Sequence, residues 1–217
     1  MSESAANAVE RETGRVEAFS DGVFSIAITL LALELKVPHA GDDVSLGRAL
    51  FEQWPTYVAY VTSFITIGIM WMNHHRLFTL IRRVDSGLMV FNLMLLFGIV
   101  TVVFPTSLIS QYIGHAGERE AAVIYAATYL FIAICFNLLW RYTASPHRSP
   151  RLLAVPDDHP MVREVSKRYL FGPITYGIAL VVGFASARLS FAIMCALALY
   201  WALQLRWSAA RQHRVRD

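Results

Sequence analysis

Residues 15–35 read RVEAFSDGVFSIAITLLALEL. A bilayer core of about 30 Å needs roughly 20 helical residues, so an apolar run of this length predicts a helix that crosses a membrane. One acidic residue, Asp21, lies more than a turn inside the run. Ionisable groups at such depth face the interior of a helix bundle or an aqueous cavity, and they have partners. The stretch therefore predicts a bundle of membrane helices with a polar contact at Asp21.

The composition of the whole chain extends this prediction. The protein has 217 residues, of which 56% are apolar and 16% charged, and its mean hydropathy is +0.46. Soluble domains are about 45–50% apolar and about 25% charged, so a single membrane bundle fits and two soluble domains do not. The charges that give the net +3 lie between apolar runs, which argues against nucleic-acid binding. Cys135 and Cys195 lie inside apolar stretches and are predicted to be buried free thiols.

Six apolar segments are long enough to cross a bilayer. We expect transmembrane helices at about 16–37, 57–73, 88–109, 121–140, 170–187 and 189–207, a cytoplasmic loop over 141–169, and a basic cytoplasmic tail over 208–217. Pro105 is predicted to kink the third helix, which neighbouring helices tolerate if they satisfy the freed carbonyl. No cleavable signal precedes the first helix, so we expect that helix to remain as the insertion signal.

The distribution of basic residues predicts the orientation. Lys and Arg are concentrated in the N-terminal segment, the loop between helices two and three, the loop between helices four and five, and the tail. The opposite side holds only Lys36, Arg48, Arg119 and Arg188. Cytoplasmic segments of membrane proteins are enriched in Lys and Arg. An even number of helices with both termini in the cytoplasm places every Lys- and Arg-rich segment on the cytoplasmic side.

The first helix contains a stripe of four residues. Placed at 100° per residue, one narrow face holds Gly22, Ile26, Thr29 and Leu33. Asp21 lies off this face, so it should point at a neighbouring helix of the same bundle. Residues at this spacing are usually packing residues, and lining a pore is the alternative interpretation.

Depth along the helices predicts partners for Asp21. The cytoplasmic end of the first helix should lie level with the end of the second and the start of the third. A polar network at that level would consist of Arg15, Ser20, Asp21, Trp71, His74 and Asn92. In the simpler alternative, Arg15 extends to the surface and a local serine caps Asp21. His74 and His75 point about 100° apart on one helix, so no metal site is predicted.

A resemblance rests on these residues. The string Arg15-x-x-x-Phe19-Ser20-Asp21, followed by GVFSIAITLL, resembles the signature of the transmembrane protein 175 family of potassium channels. The later residues Trp71-x-x-His74, Asn92 and Pro105 resemble the rest of the family's pattern. The resemblance covers about half the chain densely and the remainder through the number of helices.

The resemblance implies a fold and a set of site residues. Bacterial members of the family have six helices per chain and assemble as tetramers, with a central pore lined by the first helix. They lack the TVGYG carbonyl filter of ordinary potassium channels, and this sequence lacks it too. By position, Ile26 and Leu33 would form apolar constrictions and Thr29 would set selectivity. The residues are those of the stripe found from helical spacing.

The leading hypothesis is an all-α, multi-pass protein of the plasma membrane that forms a homotetrameric, potassium-preferring cation channel. Its expected partners are membrane lipid, monovalent cations and copies of itself. Neither catalytic residues, a cofactor nor a bound metal is predicted, apart from the permeant potassium ion. The alternative is a proton-conducting pore or proton-coupled transporter that uses Asp21 and His74. An intramembrane enzyme is disfavoured, because the apolar segments contain no G-x-S-x-G, H-E-x-x-H or paired catalytic carboxylates.

Overall fold

Helices make up nearly all of the described chain. The computed structural model describes residues 3–38, 45–146, 151–156 and 159–214, without the side chains of 3–11 and 205–214. Its elements are α1 (Glu3–Leu31), a 3-10 turn (Ala32–Glu34), α2 (Leu46–Glu52), α3 (Trp54–Phe78), α4 (Ser86–Thr101), α5 (Val103–Tyr112), α6 (Glu118–Thr143), α7 (Pro160–Ala185) and α8 (Ala187–Arg214). Within these ranges the only β-type pairing is one isolated bridge, between Ile81 and Leu153.

Six spans are long and apolar enough to cross a membrane, which confirms the predicted number. They are Glu12–Glu34, Trp54–Phe78, Ser86–Tyr112, Glu118–Thr143, Pro160–Ala185 and Ala187–Gln204. The third span combines α4 and α5, and α2 is a short extra helix that joins the first two spans. At seven residues, α2 is too short to give an apolar period in the sequence.

Several helix ends differ from the predicted bounds. α7 begins at Pro160 rather than near 170, so the loop predicted over 141–169 shortens to the stretch between Thr143 and Pro160. Proline is favoured at the first helical position, and His159 Nδ1 accepts a hydrogen bond from the Met161 amide at 3.3 Å. α8 likewise continues to Arg214 through most of the predicted tail, and residues 215–217 lie outside the described chain. Hydropathy locates the apolar part of a helix and misses these polar turns.

The first helix also differs from its predicted range of 16–37. α1 begins as early as Glu3, and it stops at Leu31, where the chain tightens into the 3-10 turn. The polar N-terminal turns precede the span and therefore give no hydropathy signal. Leu33 consequently lies in the 3-10 turn and not in the α-helix.

Two prolines interrupt the spans in different ways. The predicted kink at Pro105 occurs as a break, because α4 ends at Thr101 and α5 begins at Val103. Pro173 lies inside α7 and cannot donate to the carbonyl four residues earlier, that of Tyr169. Asn137 of α6 donates its side-chain amide to that carbonyl at 3.2 Å. A side chain of α6 thus replaces the hydrogen bond that Pro173 cannot make to the Tyr169 carbonyl, which is needed because the membrane interior has no water to do so.

The core is centred on α6, the most buried of the six spans. α6 packs against α4, α5, α7 and α8, and its inward side chains include Tyr125, Tyr129, Ile132, Leu139 and Trp140, each no more than 2% exposed. α1 lies at the edge of this arrangement, where it contacts α3, α4 and α5 and is among the least buried spans. One side of α1 is therefore left uncovered within a single chain.

A backbone clasp joins the segments at one end of the bundle. Arg82 donates its amide to the Leu152 carbonyl and Ala154 donates to the Leu80 carbonyl, both at 2.8 Å. The Thr13 hydroxyl donates to the Arg82 carbonyl at 3.4 Å. The clasp therefore links the loop after α6, the linker between α3 and α4, and the first turns of α1.

Gly98 of α4 tests the packing against α6. A Cβ atom at this position would lie 2.7 Å from Ile132 Cγ1, so Gly98→Ala should overpack the core and cost about 1–3 kcal/mol. We expect the apparent melting temperature in detergent to fall by about 2–4 °C for each kcal/mol lost. Gly177→Ala in α7 is the matched control, because nothing lies within 4 Å of its Cβ position. A loss as large in the control, or none in Gly98→Ala, would contradict this packing.

Candidate functional site

The two sides of α1 differ in burial. One side is packed into the bundle and holds Ser20, Phe24, Ala27 and Leu31, none more than 1% exposed. At 100° per residue these four lie within about 40° of one direction. The opposite side, about 180–240° around the helix from Ser20, holds Gly22, Ile26 and Thr29 of the stripe found in the sequence, and Leu33 follows in the 3-10 turn. All four stripe residues are exposed in the single chain.

A chain of buried hydrogen bonds holds the packed side of α1. Asn92 of α4 donates its amide to Ser20 Oγ at 2.9 Å, and Ser20 donates to the Val16 carbonyl at 2.9 Å. His74 Nε2 of α3 lies 2.9 Å from Asn92 Oδ1. Because an amide oxygen accepts, this contact requires the tautomer with the proton on Nε2. Three helices thus meet through three side chains that are at most 2% exposed.

Aromatic rings fix the imidazole of His74. The ring of Phe78 stacks on it at 4.4 Å, and Phe24 of α1 lies 5.4 Å away at a tilt of 56°. The other ring nitrogen, Nδ1, is buried and has no hydrogen-bond partner among the described residues. With the imidazole enclosed in this way, losing its bond to Asn92 would leave two buried polar groups unsatisfied, at about 1–3 kcal/mol each.

Two further contacts join α1 and α3 nearer the surface. Trp71 donates its indole N–H to Asp21 Oδ1 at 2.9 Å, and His75 Nδ1 lies 2.8 Å from Glu17 Oε1. Asp21 and Glu17 are one turn apart on α1, and their partners are one turn apart on α3. The two helices are therefore bound in register by a polar edge beside the buried chain.

The structure brings together most of the predicted network, as two groups. Ser20, His74 and Asn92 form the buried chain, and Asp21 pairs separately with Trp71. Arg15 is exposed and makes no hydrogen bond or ion pair with another described residue. Phe19, the remaining residue of the R-x-x-x-F-S-D string, is 58% exposed. Both residues lie on the side of α1 that the bundle leaves open.

The exposed stripe has a simple chemical character. Ile26 is 58% exposed and Leu33 is 70% exposed, and Thr29 lies between them. The Thr29 hydroxyl donates to the Ile26 carbonyl at 2.9 Å, so its oxygen lone pairs stay free to accept. The stripe therefore offers apolar bands and one oxygen dipole, with no titratable group.

Sequence reasoning missed several polar contacts of the described chain. Glu17 was not singled out, although its position one turn before Asp21 is a signal for the same helix face. A second buried cluster joins three helices, with Ser63 Oγ 2.7 Å from Thr106 Oγ1 and 3.0 Å from the Tyr125 hydroxyl. Each of these residues lies inside an apolar run, but nothing in the sequence pairs them. Within the described ranges, no three His, Cys, Asp or Glu side chains are grouped as a metal site would need.

Comparison with known proteins identifies the family of this arrangement. The family model described as "Endosomal/lysosomal potassium channel TMEM175" matches residues 15–105, which include the second half of α1, all of α3 and α4, and the buried chain. A potassium channel of Chamaesiphon minutus is 46% identical over 90% of this chain and 96% of its own length. A potassium channel of Streptomyces collinus is 42% identical over 88% of this chain and 91% of its own length.

A solved structure extends the similarity to the fold. The crystal structure of a lysosomal potassium-selective channel TMEM175 homolog from Chamaesiphon minutus superposes with a TM-score of 0.81. The match has 44% sequence identity and covers 89% of this chain and 98% of the other. The sequence match and the fold match both span nearly the whole length of each partner. The chain belongs to the TMEM175 family.

Proposed function

We propose that this protein is a potassium-preferring cation channel, in which copies of the chain surround a pore lined by α1. The observation that supports it most directly is the exposed stripe, which lies opposite the anchored side of the same helix. Its two closely similar bacterial relatives are named potassium channels. Conduction is passive, because the stripe has no titratable group that could couple ion flow to proton transfer.

The pore requires several chains. α1 lies at the edge of the protomer, so a single bundle cannot enclose the stripe on all sides. Copies related by rotational symmetry would place identical stripes around one axis and cover the apolar side chains there. The resemblance to bacterial members of the family supports four copies. The distribution of Lys and Arg supports an orientation with both termini in the cytoplasm, and we place the channel in the plasma membrane.

Three of the four stripe residues have distinct roles in this pore. A ring of Ile26 side chains forms an apolar constriction that loses water when narrow and so blocks ions. A ring of Thr29 hydroxyls offers oxygen lone pairs to a cation that has shed part of its hydration shell. Leu33, in the 3-10 turn, forms a second apolar ring. Fixed charge is absent from the three rings, so selectivity rests on dipoles and ring size.

The geometry disfavours a proton relay through His74 and Asp21. His74 is fully buried among α1, α3 and α4, on the side of α1 opposite the stripe. Asp21 lies about 100° around the helix from Ser20 and is bound to Trp71. Both residues serve to hold α1 in place, and neither lies on the proposed ion path.

Flux into proteoliposomes tests the proposal. Purified protein is reconstituted at fixed pH, and potassium uptake down a gradient is compared with sodium uptake under a matched gradient. Empty liposomes and liposomes with a potassium ionophore give the lower and upper limits. We expect uptake of both ions with a preference for potassium. If neither wild type nor Ile26→Asn conducts, in protein that is folded and oligomeric, the proposal is wrong.

Ile26→Asn should increase potassium flux. The amide retains water in the constriction, and lowering the barrier by about 1.4 kcal/mol raises the rate about tenfold. The matched control is Ile178→Asn, the same substitution at a side chain of α7 that is 54% exposed and lies away from the stripe. Equal flux in wild type and Ile26→Asn would show that Ile26 does not form the constriction.

Thr29→Ala should lower the potassium-to-sodium flux ratio, because it removes the hydroxyl oxygen and leaves the helix unchanged. Thr29→Ser keeps that oxygen and should retain most of the preference. Thr175→Ala in α7 is the matched control. The Thr175 hydroxyl also donates to the backbone of its own helix, at 3.0 Å from the Gly172 carbonyl, but it lies away from the stripe. A ratio unaffected in Thr29→Ala would place selectivity at another position.

A further inference from the structure

A cleft lies among α3, α6, α7 and α8. Its lining on α7 runs from Arg168 to Tyr176, eight residues or about 12 Å along the helix axis. The other walls include Asn73 of α3, Phe136 of α6 and Trp201 of α8. The hydrocarbon core of a bilayer is about 30 Å thick, so the cleft is nearly as long as one leaflet of that core is thick.

One end of the cleft is polar and cationic. The Tyr169 hydroxyl donates to the Asn73 carbonyl at 3.3 Å, which places the end of α3 level with Arg168 of α7. The side-chain amide of Asn73 lines the cleft and makes no hydrogen bond to another described residue. Among the described residues, Arg168 pairs with Glu164 of the same helix at 3.5 Å, and this ion pair is long and partly exposed. The end therefore holds donors with unused capacity.

The rest of the cleft is narrow and mostly apolar. The whole cleft has a volume of about 60 Å³, well below the roughly 300–1,000 Å³ of pockets for drug-sized ligands, so it can take only part of one slender chain laid along its open side. Its lining there includes Ile69, Met70 and Phe136. The adjacent exposed face of α7 is also apolar: Leu170, Phe171, Ile174, Ile178 and Val181 are each at least 45% exposed. Hydrocarbon chains are the natural neighbours of such a face in a membrane-spanning helix.

We infer that this cleft binds one anionic phospholipid, with its phosphate on Arg168 and Asn73 and an acyl chain along the cleft toward Tyr176. Basic pockets between transmembrane helices bind anionic headgroups, and guanidinium groups match phosphate oxygens in geometry. A zwitterionic phospholipid has the same acyl chains, but it carries no net negative charge and is therefore attracted less strongly to Arg168. This site is distinct from the α1 stripe, and its occupancy does not depend on ion conduction.

Native mass spectrometry of the delipidated protein tests the inference. The protein is titrated separately with phosphatidylglycerol, phosphatidylcholine and oleate, the two phospholipids having the same acyl chains. We expect one tight phosphatidylglycerol per chain and weaker phosphatidylcholine. Equal affinity for the two phospholipids, or binding of oleate without phosphatidylglycerol, would overturn the inference. The readout is binding, so failure here leaves the proposed channel function untouched.

Paired variants locate the lipid. Arg168→Gln should weaken phosphatidylglycerol binding about fivefold, whereas Arg163→Gln removes the same charge from α7 outside the cleft and should leave it unchanged. Gly172→Leu should fill the cleft and weaken both phospholipids. Gly172→Ala is its control, because the added Cβ would meet only Ala133 Cβ, at 3.5 Å. Equal effects of the two arginine variants, or unchanged binding in Gly172→Leu, would contradict the site.

Discussion

The structure depends on the hydrogen bonds that Ser20, Asn92 and His74 form where α1, α3 and α4 meet. Buried polar groups must be paired, and the membrane offers no water to replace a lost partner. Successive residues of a helix differ by 100°, so a one-residue rotation of α1 would carry Ser20 away from Asn92. The pairing therefore fixes which side of α1 faces its own bundle. The contact of Asp21 with Trp71 supports the same orientation at the edge of the helix pair.

The exposed stripe follows from this orientation. Because Ser20, Phe24, Ala27 and Leu31 pack into the bundle, the opposite side of α1 stays exposed among the described residues. That side combines apolar side chains with one hydroxyl, a character suited to a narrow ion path that several chains enclose. Asn137 binds the Tyr169 carbonyl that Pro173 leaves free, so α7 packs on α6 without an unpaired backbone group at that point, and α1 lies at the edge of the bundle. One side of α1 thus holds the helix in the bundle, and the opposite side of the same helix lines the proposed ion path.

The sequence predicted the parts of this arrangement that rest on hydropathy and helical period. Asp21 inside an apolar run required a partner, and depth alone placed Trp71, His74 and Asn92 level with it. The early start of α7 was not predictable from hydropathy, because its first turns are polar and Pro160 acts through backbone geometry. Arg15 was expected in the network but lies exposed, since the direction of a long side chain depends on neighbours that spacing does not reveal. The contact of Glu17 with His75 required knowing the relative rotation of two helices.

Silver block of a single introduced thiol tests most directly whether the α1 stripe lines the conduction path. Cys135 and Cys195 are first replaced by alanine, and Thr29→Cys or Ile178→Cys is added. Ag⁺ is a monovalent cation that a cation pore admits and that binds thiolate tightly. If the stripe lines the path, Ag⁺ will stop potassium flux through Thr29→Cys and leave flux through Ile178→Cys and the cysteine-free protein intact. Undiminished flux through Thr29→Cys, with mass spectrometry showing silver bound to its thiol, would mean that Thr29 does not face the ion path.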